Sequence, residues 1–135
     1  MFLMSVLILA LFASSQGFAM RSIGFVSPKE AKELGMEIRL TPNGTNEVWV
    51  ELEFKAEGKF KDFNHVSLEI RDGEKFLLGW APLKDKRAAS GSVLVHFLAN
   101  RVYLDKIALC VMIGDMGDAG WELRMKDFVE AGKAP

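Results

Sequence analysis

The stretch EVWVELEF, Glu47 to Phe54, decides the fold class because it alternates between apolar and acidic residues. Apolar side chains fill every even position, and glutamates fill the odd positions with one exception, Trp49. A period of two is typical of a β-strand with one face in a hydrophobic core and the other toward solvent. Trp49 is therefore predicted to lie among acidic side chains on the solvent-facing side.

A second alternating stretch, residues 36–41, precedes this strand and is joined to it by the turn-forming sequence TPNGTN. Hairpin strands must share their apolar face, and a two-residue Asn-Gly turn would pair odd with even positions. A loop of three or five residues preserves the match. We expect this hairpin to place Arg39 across from Trp49, where the guanidinium can cover the indole.

Further strand-like segments follow along the chain, separated by turn signals roughly every ten residues. Residues 92–98 and 106–113 are more continuously apolar, which predicts central strands buried on both faces. Together these segments predict an all-β fold of roughly seven or eight strands: a small antiparallel β-sandwich, immunoglobulin-like or of a similar Greek-key architecture. Residues 126–131 fit either a strand or a short helix.

The sequence SPKEAKELG, residues 27–35, predicts a short N-terminal helix over residues 28–34. Ser27 and Glu30 have the spacing of a capping box, and Pro28 occupies the first helical position. Gly35 is a typical helix stop.

Residues 1–19 are predicted to be a signal peptide that precedes a single domain over residues 20–135. The segment carries no charged side chain, and small residues follow its apolar run, so that cleavage fits after Ser15 or after Ala19. We expect export to the periplasm, the cell surface or the extracellular space, with no membrane span after cleavage. The alternative is an uncleaved anchor, because about 20 apolar residues can cross a bilayer.

Charge and cysteine content restrict the function classes. The net charge of −1 and the pI of about 6.1 argue against nucleic-acid binding, which requires a basic surface. Cys110 is the only cysteine, so the chain has no internal disulfide and depends on core packing. Cys110 lies in IALCVMI and is predicted to be a small core residue.

Catalytic motifs are absent from the sequence: it has no nucleophile elbow, zinc-protease helix, P-loop or C-x-x-C pair. His65 and His96 are the natural acid–base candidates, but no nucleophile motif accompanies either one. We therefore predict an exported, non-enzymatic binding or accessory module without a cofactor. A small secreted hydrolase or enzyme inhibitor is an alternative.

The sheet face around Trp49 is the first candidate site. Aromatic rings stack on sugars and anchor protein interfaces. Trp49 with Arg39, Glu51 and Glu53 is thus predicted to meet a protein or a carbohydrate at the cell surface. Trp80 and Trp121, by contrast, alternate with the core residues of their strands and are predicted to be buried.

The acidic loop GDMGDAGWE, residues 114–122, is the second candidate site. Asp115, Asp118 and Glu122 offer the oxygen ligands that Ca²⁺ prefers. A cation-dependent β-sandwich that binds through this loop is therefore an alternative function, although the spacing matches no compact calcium motif.

Overall fold

A computed structural model describes residues 22–72 and 76–133, and these residues form two stacked β-sheets with two short helices. The predicted signal peptide, residues 1–19, lies outside the described residues. In chain order the elements are β1 (Ser22–Phe25), α1 (Pro28–Glu33), β2 (Glu37–Asn43), β3 (Glu47–Lys55), β4 (Phe63–Asp72), β5 (Phe76–Leu83), β6 (Asp85–Arg87), β7 (Ser92–Asn100), β8 (Ile107–Ile113), β9 (Ala119–Arg124) and α2 (Met125–Lys133).

The strands divide into a five-stranded sheet, in the order β1-β9-β8-β4-β5, and a four-stranded sheet, in the order β2-β3-β7-β6. All neighbouring strands are antiparallel except β1, which runs parallel to β9. One hydrophobic core contains residues of both sheets. The predicted all-β sandwich is confirmed at this level.

The core forms because alternate residues of each strand point toward the opposite sheet. Along β3, the residues at even positions are at most 4% exposed. Phe54 contacts the rings of Phe60 and Phe63, with centroids 4.9 and 5.1 Å away. Trp121 packs against Phe60 at 4.9 Å and is half-buried, close to its predicted position in the core.

The β2–β3 hairpin has the three-residue loop that face matching allows, residues 44–46, with Gly44 at a φ of 72°. Asn43 pairs with Glu47, so odd residues face odd residues as predicted. The predicted cross-strand pair of Arg39 and Trp49 is wrong. The loop is centred on Thr45, whereas an Arg39–Trp49 pair requires a loop centred on Gly44, so the register shifts by two residues and pairs Arg39 with Glu51.

The two strands predicted to be buried on both faces behave differently. In β8, residues 107–112 are all buried, as predicted. In β7 only Val93, Val95 and Ala99 are buried, so the prediction is wrong there. Leu94, His96 and Leu98 lie on the face of the four-stranded sheet that points away from the core, whereas Phe97 packs against the core and is only partly buried.

Helix α1 follows from local sequence signals. In α1, the Glu30 amide donates to the Ser27 hydroxyl at 3.2 Å, and Gly35 follows the helix at a φ of 83°. The undecided segment after residue 125 is helical and forms α2, which packs near α1 and the 3-10 turn Arg101–Lys106. Among the described residues, no helix has the length and apolar character needed to cross a membrane.

Candidate functional site

The outer face of the four-stranded sheet carries the first predicted site. Register pairs Arg39 with Glu51, and Trp49 with Thr41 on one side and Leu98 on the other. Arg39, Glu51 and Glu53 are therefore brought together, and Trp49 lies one residue pair further along the same face.

Arg39 is the centre of a surface ion-pair network. Its guanidinium donates to Glu51 at 3.0 Å and to Glu53 at 3.3 Å, and it lies 3.2 Å from Glu37. The hydrogen bond to Glu51 is the largest of the effects that together raise the pKa of Arg39. Arg39 is thus committed to acidic partners on its own sheet.

Trp49 contacts the ring of His96, and not the predicted Arg39 guanidinium. Its ring and that of His96 have centroids 5.7 Å apart at an angle of 46°. His96 is exposed and pairs with Glu51 across the strands, and Leu98 is 39% exposed. The half-buried indole therefore belongs to a small apolar and aromatic patch, which borders the Arg39 network.

The acidic loop does not gather its three carboxylates. Asp115 and Asp118 are exposed in the loop between β8 and β9, whereas Glu122 is 1% exposed inside β9. The Asn64 amide holds the loop by donating to the backbone carbonyl oxygens of Gly114, at 3.0 Å, and Asp115, at 3.4 Å.

Glu122 belongs instead to a polar cluster on the outer face of the five-stranded sheet, which we term the outer cluster. Its members alternate with core residues along β4, β8 and β9, and its four buried residues are at most 3% exposed. These four are joined by two arginines that reach over the carboxylates. The outer cluster consists of Ser67, Glu69, Cys110, Glu122, Arg71 and Arg124.

Arg71 bridges the two buried carboxylates of the outer cluster. It contacts Glu69 directly and lies 2.7 Å from Glu122, which also accepts a bond from Arg124 at 3.2 Å. Burial alone would lower the pKa of Arg71, but the hydrogen bond to Glu69 and the charge of Glu122 raise it overall. Two carboxylates and two guanidinium groups balance in charge, as buried ions require.

The thiol of Cys110, in the outer cluster, is held in its protonated form. Burial, reinforced by the negative charges of Glu69 and Glu122, raises the pKa of Cys110 to about 12. The thiolate is the nucleophile and metal ligand of cysteine, so this side chain is held in its unreactive form at neutral pH.

The outer cluster is also poorly suited to bind a metal ion. Within the described ranges, only Glu69, Cys110 and Glu122 place three ligand atoms close together, within 4.8 Å of one another. The Arg71 guanidinium contacts both carboxylates, and so it already supplies the positive charge that a cation would bring.

Strand β5 forms one edge of the five-stranded sheet and is markedly apolar. Its sequence, FLLGWAPL, contains no charged residue. Leu77, Leu78 and Trp80 are 55%, 63% and 47% exposed. A long, uncharged edge strand is unusual, because free backbone N–H and C=O groups at an edge invite pairing with another chain.

The exposure of Trp80 corrects the prediction that it is buried. Trp80 pairs with Glu69, on the outer face of the sheet, and a bulge at Leu78 brings Leu77 opposite Arg71 on that face. Sequence reasoning assigned Trp80 to the core because alternation shows that two faces exist without showing which one points inward. The sequence signal that indicates an unusual strand here is the absence of any charged residue over the eight residues 76–83.

The sequence matches no protein-family model, no curated protein and no solved structure.

Proposed function

We propose that this protein is a non-enzymatic binding module that holds an extended segment of a protein partner along the β5 edge. The exposure of Leu77, Leu78 and Trp80 on an uncharged edge strand is the observation that carries this proposal. In strand addition, the backbone supplies the hydrogen bonds and side-chain contacts supply the specificity.

The other edges of the described sheets support this choice by contrast. Strand β2 carries Glu37 and Arg39, β6 is only three residues long and fully charged, DKR, and β1 is uncharged but only four residues long. Charged side chains and short length are the usual protection of an edge against pairing. In β5 the protection is limited to Pro82, which removes one donor near the end of the strand.

Site-specific photo-crosslinking tests the proposal in cells that make the protein. A photoreactive phenylalanine analogue at position 78 should give a defined protein adduct. The same analogue at position 102 is the control, because Val102 is also apolar and is 73% exposed but lies outside β5. Equal labelling from both positions, or none from position 78, would contradict the proposal.

We also propose that the sandwich is immunoglobulin-like. If β2, β3, β4, β5, β6, β7, β8 and β9 are lettered A, B, C, C′, D, E, F and G, the two sheets read A-B-E-D and G-F-C-C′. Strands A to G follow the seven-strand order of the immunoglobulin fold, and C′ and β1 are two additional edge strands on either side of the G-F-C sheet. The proposal is supported by the way in which the chain passes back and forth between the two sheets. The disulfide that usually joins the two sheets of this fold is absent, because Cys110 is the only cysteine, and apolar side chains fill the space between the sheets.

A second candidate function is glycan binding at the face around Trp49. It is favoured by the contact of Trp49 with His96 in place of the expected Arg39, and by neighbouring carboxylates that can accept hydrogen bonds from sugar hydroxyls. Trp49→Ala should abolish binding to a glycan array while Trp80→Ala leaves it intact. The reverse pattern would assign any glycan binding to the β5 edge.

We further propose that the module acts outside the cytoplasm. The apolar, uncharged segment before residue 20 and the absence of any charge until Arg21 support export through a signal peptide. Deletion of residues 2–19 should remove the protein from the exported fraction, which cell fractionation measures.

A further inference from the structure

We infer that Asn43, at the tip of the β2–β3 hairpin, is a site of spontaneous deamidation, and that the products weaken this hairpin. In this reaction the backbone nitrogen of the following residue attacks the side-chain amide carbon and closes a succinimide ring. The site belongs to the four-stranded sheet and is independent of the binding proposed for β5.

The reaction needs only the chain and water. The backbone nitrogen of Gly44 loses its proton and forms a bond to Cγ of Asn43, and the bond from Cγ to Nδ2 breaks. The side-chain nitrogen leaves as ammonia, which takes up the proton. Water then opens the ring on either side. One product is aspartate, and the other is isoaspartate, in which the main chain runs through the side-chain carbons.

Gly44 gives the attacking nitrogen the access that this reaction needs. Glycine has no Cβ atom to hinder the approach, and it adopts backbone conformations that other residues disfavour. Gly44 has a φ of 72°, and a Cβ atom built on it would meet nothing within 4 Å. Among the described residues, no loop or turn hydrogen bond uses the Gly44 amide. No such bond therefore holds this nitrogen away from the side chain of Asn43.

The other asparagines of the chain lack this combination. All four asparagines are exposed, but glycine follows only Asn43. The side chain of Asn64 donates to a backbone carbonyl oxygen at 3.0 Å, and that of Asn100 accepts from a backbone amide at 3.0 Å. Asn46 lies in the same loop as Gly44 but is followed by a glutamate. Asn43 should therefore react first.

Both products disturb the hairpin next to its loop. Asn43 pairs with Glu47 across the strands. Aspartate at position 43 sets two like charges directly opposite each other, which destabilises a strand pair. Isoaspartate adds one carbon to the main chain, which disrupts the regular spacing of the paired strands. The reaction therefore weakens the end of the hairpin whichever way the ring opens.

Incubation of the folded full chain, as its host cell processes it, at mildly alkaline pH tests the site. Anion-exchange chromatography should resolve a more acidic form that accumulates with time, because a neutral amide becomes an ionised carboxylate. Peptide mapping by mass spectrometry should place the change at Asn43, with Asn46, Asn64 and Asn100 as controls within the same chain. Equal conversion of all four, or conversion of Asn43 only after unfolding in urea, would overturn the inference.

Two variants separate the proposed chemistry from exposure alone. Asn43→Gln keeps an amide but has to close a larger ring, so the acidic form should disappear. Thr45→Ala is the matched control, because Thr45 is exposed in the same loop and takes no part in the ring, and the rate should stay unchanged. An acidic form that persists in Asn43→Gln would place the reaction at another residue and overturn the inference.

Thermal unfolding of the separated acidic form tests the effect on the hairpin. Its melting temperature should lie below that of the unmodified protein, and Asn43→Asp should reproduce the part of the shift that is due to charge. Added salt should reduce that part, because it screens exposed charges. Equal melting temperatures for the acidic form and the unmodified protein would overturn the proposed weakening of the hairpin.

Discussion

Arg71 links the two buried carboxylates of the outer cluster, and its side chain is itself only 26% exposed. Removing one partner of a buried ion pair costs far more than the pair contributes, because the remaining charge stays desolvated. Arg124 continues to contact Glu122, whereas Glu69 loses its contact with Arg71.

We therefore expect Arg71→Ala to lower the free energy of unfolding by about 3 kcal/mol. Arg87→Ala is the control, because Arg87 pairs with Asp85 at 3.0 Å but is 54% exposed. Its loss should cost no more than about 1 kcal/mol. Urea denaturation of both variants measures the difference, and equal losses would show that the outer-cluster carboxylates are hydrated.

Cys110 makes the free energy of unfolding depend on pH in the alkaline range. Its pKa is raised from 9.0 to about 12 in the folded state, first by burial and then by Glu69 and Glu122. A raised pKa contributes stability that is fully present below pH 9 and is lost as the pH rises toward 12, because only the unfolded chain releases the proton.

Relative to Cys110→Ala, the wild-type protein should thus lose about 1.4 kcal/mol of unfolding free energy per pH unit above pH 9. Below pH 9 the difference between the two proteins should be constant. Denaturant titrations across this range measure the slope. Parallel curves for the two proteins at all pH values would mean that the folded thiol ionises as readily as the unfolded one.

At the scale of elements, the pairing of β8 with β9 depends on Gly120. A Cβ atom at this position would collide with the carbonyl group of Val111, whose carbon lies 2.9 Å away. Backbone atoms cannot rotate aside as side chains do, so the strands would have to separate.

Gly120→Ala should consequently destabilise the fold by about 1–3 kcal/mol. Gly24→Ala, in the neighbouring strand β1, meets no atom and should be neutral or stabilise by up to about 1 kcal/mol. Thermal unfolding followed by circular dichroism compares the two variants. A neutral Gly120→Ala would mean that the β8–β9 spacing adapts.

Element types were predictable because local signals agree with the fold. Alternation predicted β3 and its hairpin partner, and the capping box predicted α1. The pairing of Arg39 was not predictable, because face matching pairs odd with odd residues but does not fix the residue on which the loop is centred, and moving that centre by one residue changes the partner. The position of Trp80 was likewise hidden, because a strand at a sheet edge alternates in the same way as one in the middle.

At the scale of the whole molecule, the outer cluster shows why part of the candidate site could not be predicted. Its members come from β4, β8 and β9, which are far apart in sequence and meet only through strand order. Glu69 and Glu122 each stand in an alternating stretch, where a glutamate ordinarily faces water. Only the sheet topology brings them to one guanidinium.

The proposed cleavage of a signal peptide gives a prediction for the exported protein. Cleavage after Ser15 or Ala19 falls before Ser22, where β1 begins, so either product keeps all strands. The exported protein should therefore begin at Gln16 or Met20 and unfold cooperatively. Intact-mass measurement of the exported protein checks this, and a full-length mass would favour the anchored alternative.

The parallel pairing of β1 with β9 has a mechanical consequence. The chain enters β1 at the end of the sheet where β9 begins, and it leaves β9 at the opposite end. A force that holds the chain before Ser22 and pulls on α2 therefore acts along both strands. It loads the bonds between β1 and β9 in shear, all at once, instead of opening them one after another.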